Sequence, residues 1–300
     1  MSTLKFATYD VFTDTRFAGN PLAVVFDADG LSDAQMQTIA REFNLSETVF
    51  VRAPADARHE AGVRIFTPTK ELPFAGHPTI GCAVALAELR HAGAGARDIL
   101  LVLEARVGPV RCGVKLAADG ASFAEFAAPK LAQPAGDDPS PEAAARLLGL
   151  DVADIGFDRH TPSLFSGGVA FAMIPVASRE ALARARPTSA QTSPLVGATE
   201  VFVYTRAEAE APYSFRARMF APEIGIAEDP ATGGAAAAFA GVLARFEDLP
   251  DGWHTLPILQ GVEMGRPSLV GLEVEIAGAR LAGARVAGKA VKVSEGVLLL

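Results

Sequence analysis

Cysteine is scarce: the 300 residues hold two, Cys82 and Cys112, in unlike settings and outside any CxxC or metal-ligand spacing. That excludes a disulfide scaffold and a thiolate metal site, and predicts two reduced, mostly buried thiols of a cytoplasmic protein. Histidine is as sparse. Its five copies are dispersed, with no HExxH pattern, so no metal is expected. No run of about 18 apolar residues is present to span a bilayer, and the start, MSTLKFATYDVFTD, lacks the long apolar stretch of a signal peptide. Positive charge is in deficit: 27 Lys and Arg against 35 Asp and Glu give a net charge of -8. The basic residues form no run, which argues against nucleic acid and polybasic membrane contacts.

The chain is rich in apolar residues, 50% of the total. That is ample for a large core, and the length favours two domains. Self-comparison supports two. Phe17-Ala18-Gly19-Asn20 precedes an apolar run at Leu22 to Phe26, and Phe165-Ser166-Gly167-Gly168 precedes another at Val169 to Pro175. Arg64-Ile65-Phe66-Thr67-Pro68 is echoed by Arg218-Met219-Phe220-Ala221-Pro222. His77-Pro78-Thr79-Ile80-Gly81-Cys82-Ala83 is set against Asp229-Pro230-Ala231-Thr232-Gly233-Gly234-Ala235. Each offset is about 150 residues and the order is kept, as duplicated domains require. The Pro- and Asp-rich stretch Pro129 to Pro141 reads as the junction. The expected domains are 1–128 with a returning tail from about 280 to 300, and 129–279.

Periodicity predicts strands at Thr8 to Phe12, Leu22 to Phe26, Glu47 to Val51 and Val63 to Phe66. Ser32 to Phe43 reads as a helix, with a Ser32/Gln35 capping box and a stripe of Met36, Ile39 and Phe43. Two Ala-rich helices, Thr79 to Leu89 and Ala231 to Phe246, are apolar nearly all round. Each is expected as a central helix wrapped by sheet, which gives an α+β protein of two half-barrels.

Chemistry is expected at the starts of those two helices. Pro78 and Pro230 read as first helical residues, with His77 and Asp229 at the caps. The small residues that follow leave N–H groups accessible, and these with the helix dipole suit a carboxylate or a developing enolate. Ordinary capping explains either start alone; two at matched repeat positions in one interdomain cleft point to a site. Strand alternation puts Glu47 on the face of Leu45, Val49 and Val51. It is either a partly desolvated carboxylate with a raised pKa, suited to proton transfer, or a strand-end Glu in water. The turns at Gly19-Asn20-Pro21, Gly261 and Met264-Gly265-Arg266-Pro267 either line the same cleft or are simple turn chemistry. Arg266 is a candidate for a substrate carboxylate or an ordinary surface residue. His59, His91, His160 and His254 read as structural or exposed.

These stretches resemble the phenazine-biosynthesis isomerase (PhzF-like) family, whose fold is of the diaminopimelate-epimerase type. The resemblance rests on FAGNPLAVV (17–25), LSETVFV (45–51), RIFTPTKELPFAGHPTIG (64–81), EDPATGGAAA (228–237) and QGVEMGRPS (260–268), spread over nearly the whole chain. It implies Glu47 as the acid/base that moves a proton between carbons, with His77 and Asp229 as polar partners. It implies that backbone groups at Gly76, Gly233 and Gly234 hold a substrate carboxylate, and that the protein is a homodimer without a cofactor. The family usually reads ATGSA where this chain has Ala231-Thr232-Gly233-Gly234-Ala235, so a hydroxyl is missing here. The epimerases of this fold use a cysteine pair at the helix starts, whereas Cys82 lies a turn inside its helix with Gly234 as its expected counterpart. The expected activity is therefore a cofactor-independent isomerase of a small carboxylated metabolite. The alternatives are a racemase or epimerase, or a non-catalytic binding or scaffold protein.

Overall fold

The structure, a computed structural model, describes residues 3–93 and 95–300. It divides into two units, Met1–Ala127 with Ala287–Leu300, and Ala128–Val286.

The first unit contains β1 (Thr3–Val11), β2 (Asn20–Val25), α1 (Asp33–Phe43), β3 (Glu47–Arg52), β4 (Ala61–Phe66), β5 (Glu71–Leu72), α2 (Gly76–Arg90), β6 (Arg97–Ala105), β7 (Gly108–Leu116) and β8 (Ser122–Ala127). β1 pairs antiparallel with β2 on one side and with residues 290–299 of the returning tail on the other. β2 and β3 are parallel, β3–β4 and β4–β5 antiparallel, β4–β6 parallel, and β6–β7 and β7–β8 antiparallel. This sheet curls round α2, which packs on β1, β2, β3, β6, β7 and β8. Every residue of α2 from Gly76 to Ala87 is buried, as its unbroken apolar composition requires. Gly81 permits the closeness, since a Cβ there would stand 2.5 Å from Leu22 Cδ2 and 2.8 Å from Val11 Cγ2. α1 covers the outer face through Met36 and Ala40, with Ile39 and Phe43 at the margin. The Ser32/Gln35 capping box forms as expected, and Asn44 in the left-handed region ends the helix three residues before Glu47.

The second unit contains β9 (Gln133–Pro134), α3 (Pro141–Leu148), β10 (Ser163–Ser166), β11 (Ala170–Pro175), α4 (Arg179–Arg184), α5 (Ser193–Val196), β12 (Glu200–Arg206), β13 (Phe215–Ala221), β14 (Ile226–Asp229), α6 (Gly233–Phe246), β15 (Gly252–Thr255), β16 (Ile258–Gln260), β17 (Ser268–Ala277) and the first part of β18 (Arg280–Leu299). Its pairing repeats that of the first unit strand for strand. β10–β11 is antiparallel, β11–β12 parallel, β12–β13 and β13–β14 antiparallel, β13–β16 parallel and β16–β17 antiparallel. α6 takes the place of α2, packing on β9, β10, β11 and β17. The two units are pseudo-symmetric half-barrels, each round a central helix.

One device is copied between them. In the first unit Arg64 on β4 makes a two-pronged ion pair with Glu71 on β5, at 2.7 Å for each prong. In the second, Arg218 on β13 grips Glu228 on β14 at 2.8 and 2.9 Å, and also donates to the carbonyls of Leu182, Ala183 and Ala185. Each guanidinium lies over the phenylalanine two residues on, Phe66 or Phe220. Arg218 is 2% exposed, so its charge depends on these partners. Each clamp fixes the hairpin that leads into the central helix.

The helix starts correct part of the sequence reading. α2 begins at Gly76 with Ala75 as N-cap, so His77 is its second residue and Pro78 its third. α6 begins at Gly233 with Thr232 as N-cap, so Asp229 ends a strand three residues before that cap. Pro fits either at or just after a helix start, because the first turn's N–H groups lack partners inside the helix. The repeat register changes too. The clamps align Glu71 with Glu228 and the helix starts align Gly76 with Gly233, an offset that puts His77 opposite Gly234. The Cys82–Gly234 and His77–Asp229 correspondences do not hold.

Candidate active site

In the first unit three elements bring Asn20, Glu47 and His77 together. β2 opens with Asn20 directly after Gly19, whose φ is +66°. A Cβ on Gly19 would lie 2.4 Å from the Val11 carbonyl oxygen, so this turn needs glycine. β3 opens with Glu47, paired in register with Leu22 of β2. Thr48, Val49, Phe50 and Val51 are all buried, so strand alternation does not sort the faces here as expected. Glu47 is nonetheless largely shielded: its side chain is 12% exposed, and that of His77 is 4% exposed.

His77 Nδ1 lies 3.2 Å from Glu47 Oε2 and 3.4 Å from Asn20 Nδ2. Burial pulls the His77 pKa down to about 3, against a weaker upward pull from the Pro21 backbone, so the imidazole is neutral at ordinary pH. The contact with Glu47 is therefore the approach of a shielded carboxylate to a neutral ring, without hydrogen-bond geometry, rather than an ion pair. Nε2 is buried and has no hydrogen-bond partner among the described residues. A buried unsatisfied atom of this kind is a place for a ligand group.

In the second unit Asp229 ends β14 and is 7% exposed. Thr232 Oγ1 donates to its Oδ2 at 2.6 Å. Gln260 on β16 donates through Nε2 to the Asp229 carbonyl at 2.8 Å and to Thr232 Oγ1 at 3.1 Å, and accepts the Thr232 N–H at 3.2 Å. Gly233 and Gly234 open α6, with first-turn N–H groups that have no intrahelical partner. Gly76 opens α2 in the same way, buried. A Cβ at Gly234 would meet only the Phe171 ring, at 3.7 and 4.0 Å, so this helix start has room beside it. Arg266 closes a turn from Gly261 by donating its N–H to the Gly261 carbonyl. Gly261 has φ +76°, and a Cβ there would stand 2.6 Å from the Pro230 carbonyl oxygen, which seats this turn against the residue after Asp229.

Thr232 and Gln260 escaped the sequence reading. Thr232 lay inside a helix expected from Ala231, and a lone Gln at a strand end carries no periodic or spacing signal. Cys82 and Cys112 are free and buried. Burial drives both thiols up, Cys112 to about 12 and Cys82 further, so neither is a ready thiolate. No helix among the described residues is long and apolar enough to cross a membrane.

The family model described as phenazine biosynthesis-like protein matches residues 9–296. An uncharacterized isomerase of Mesorhizobium japonicum is 48% identical over the full length of both chains. The trans-2,3-dihydro-3-hydroxyanthranilate isomerase of Pseudomonas aeruginosa is 37% identical, covering 97% of this chain and 98% of its own. The crystal structure of a PhzF-family phenazine biosynthesis protein of Bacillus anthracis superposes with a TM-score of 0.86 at 26% identity, over all of both chains. The chain thus belongs to the phenazine biosynthesis-like family, the isomerases of PhzF type.

Proposed function

We propose that the protein isomerises a small carboxylated metabolite by moving one proton between two carbons, with Glu47 as the carrying base. The observation that carries this is the Glu47–His77 contact: a shielded carboxylate 3.2 Å from an imidazole that burial keeps neutral. In the first step a Glu47 oxygen takes the proton of an activated C–H, and the electron pair left on carbon spreads into the conjugated carboxylate. In the second, the protonated Glu47 returns the proton to another carbon and the double bond settles in its new place. Atoms and charge balance without a cofactor. First-turn N–H groups at Gly76, Gly233 and Gly234 and the polar groups of Asn20, Asp229 and Arg266 hold the substrate and its developing charge.

A one-base shuttle is favoured over a two-base racemase or epimerase by the repeat itself. Where α2 carries His77, α6 carries Gly234, so the matched helix starts do not supply matched acid and base groups. The work of a homodimer in the cytoplasm completes the proposal. Its test is exchange in heavy water. The named substrate of the Pseudomonas relatives and a panel of small unsaturated carboxylates are incubated with the protein and followed by NMR. Deuterium entering one carbon while a double bond moves supports the reading; deuterium with inversion at a single centre and no bond shift would replace it with epimerisation.

A further inference from the structure

We propose that Thr232 and Gln260 are positioning residues: together they hold the Asp229 carboxylate in one orientation for the reaction, and the fold does not require them. This rests on the reading of Asp229 as part of the site.

The orientation of the Gln260 amide is fixed by backbone partners that can play one role each. The Thr232 N–H can only donate, so the atom facing it is Oε1; the Asp229 carbonyl can only accept, so the atom facing it is Nε2. Nε2 also donates to Thr232 Oγ1, 3.1 Å away. That hydroxyl has a single proton, and the remaining partner within reach is Asp229 Oδ2 at 2.6 Å. The relay therefore runs one way, from amide to hydroxyl to carboxylate. Gln260 is 1% exposed, so water does not compete for it. A carboxylate that accepts such a bond is held both in direction and in its ionised form.

The other half of the molecule shows what the junction looks like without this relay. Strand register puts Ile65 opposite Leu72 in the first unit and Met219 opposite Asp229 in the second, so Leu72 stands where Asp229 does. The N-cap equivalent to Thr232 is Ala75. On the neighbouring parallel strand Gly62 faces Glu104 as Arg216 faces Leu259, which makes Ala105 the equivalent of Gln260. The same strand, turn and helix thus form with Leu72, Ala75 and Ala105, three apolar residues. A polar triad that the duplicate lacks at all three positions serves something other than the fold.

The test has a part that needs no substrate. In full-length protein with 13C-labelled aspartate, the Asp229 carboxyl signal, assigned with Asp229→Asn, is titrated by NMR. Thr232→Val keeps the shape and removes the hydroxyl, and is expected to raise the pH at which Asp229 takes up its proton by about one unit. Gln260→Leu shifts it in the same direction, and Thr232→Ser restores it. An unchanged titration in Thr232→Val would overturn the proposal. Asp229→Leu combined with Thr232→Ala and Gln260→Ala rebuilds the first unit's apolar junction, and should fold with Tm lower by only a few degrees; loss of cooperative unfolding would show the triad to be structural and overturn the proposal as well. In deuterium exchange with trans-2,3-dihydro-3-hydroxyanthranilate, Thr232→Val should lose more than about tenfold in kcat and Thr232→Ser recover it. If the unaltered protein does not exchange that compound, the assignment of substrate fails by itself, while the titration still decides the positioning role.

Discussion

His77 and Gly234 are the second residues of two equivalent helices, and one bears a buried imidazole where the other bears a hydrogen atom. The duplicated frame is therefore functionally lopsided. The first unit supplies a carboxylate and a neutral ring; the second supplies an anchored aspartate and open space beside a helix start.

Replacing Glu47 with Gln keeps the volume and removes the proton acceptor. Turnover and deuterium exchange should fall by about 10²–10⁴-fold. Ligand affinity should stay within about tenfold, because the groups proposed to hold the carboxylate are untouched. Isothermal titration beside the exchange assay checks both, and full exchange in Glu47→Gln would remove Glu47 from the mechanism.

Gly234→Ser adds a side chain where the nearest atoms lie at ordinary contact distance from Cβ. It should fold with a Tm close to that of the unaltered protein and change the preference among carboxylates. A large fall in Tm would mean that the space beside this helix start is packed core.

His77 makes stability depend on pH in a stated direction. Its folded pKa, about 3, lies below the ordinary 6.5, so below pH 6.5 the unfolded chain binds a proton that the folded one refuses. The stabilisation is present in full above about pH 6.5 and is lost as the pH falls towards 3. Between pH 7 and 4.5 the loss should be about 2.5 kcal/mol. Urea unfolding of His77→Asn at the two values should show a loss smaller by that amount; equal losses would mean that His77 is not held neutral.

Gly81→Ala places a methyl against Leu22 and Val11, both fully buried, within 3 Å of each. Overpacking of this kind costs about 1–3 kcal/mol. Chemical denaturation gives the number, and an unchanged midpoint would mean that α2 can back away from the sheet.

The sequence made some of this readable, for physical reasons. Ser32 with Gln35 specifies a helix start through local hydrogen bonds, and α1 begins there. Continuous apolar composition marks a helix with no solvent face, and α2 and α6 are buried accordingly. The Arg-x-Phe echo aligned the two copies correctly because both arginines answer to the same clamp. The His-Pro and Asp-Pro echo misaligned them, because Pro is tolerated at several places near a helix start and so fixes none. Gln260 could not be found from its neighbours, since its partners lie about 30 residues away on another element.

The tail has a consequence for how the chain is made. Val11 pairs with Ala290 and Thr3 with Leu299, so β1 lacks one neighbour until residues nearly 300 positions further on have been made. The second unit, by contrast, is one continuous stretch. During translation the inner half can assemble as it emerges, while β1 carries an unmatched edge that would recruit other strands if left long exposed. A chain cut short after Val286 would hold the whole second unit but leave the β1 edge of the first without its partner, so truncation there should cost solubility before it costs the second unit's fold.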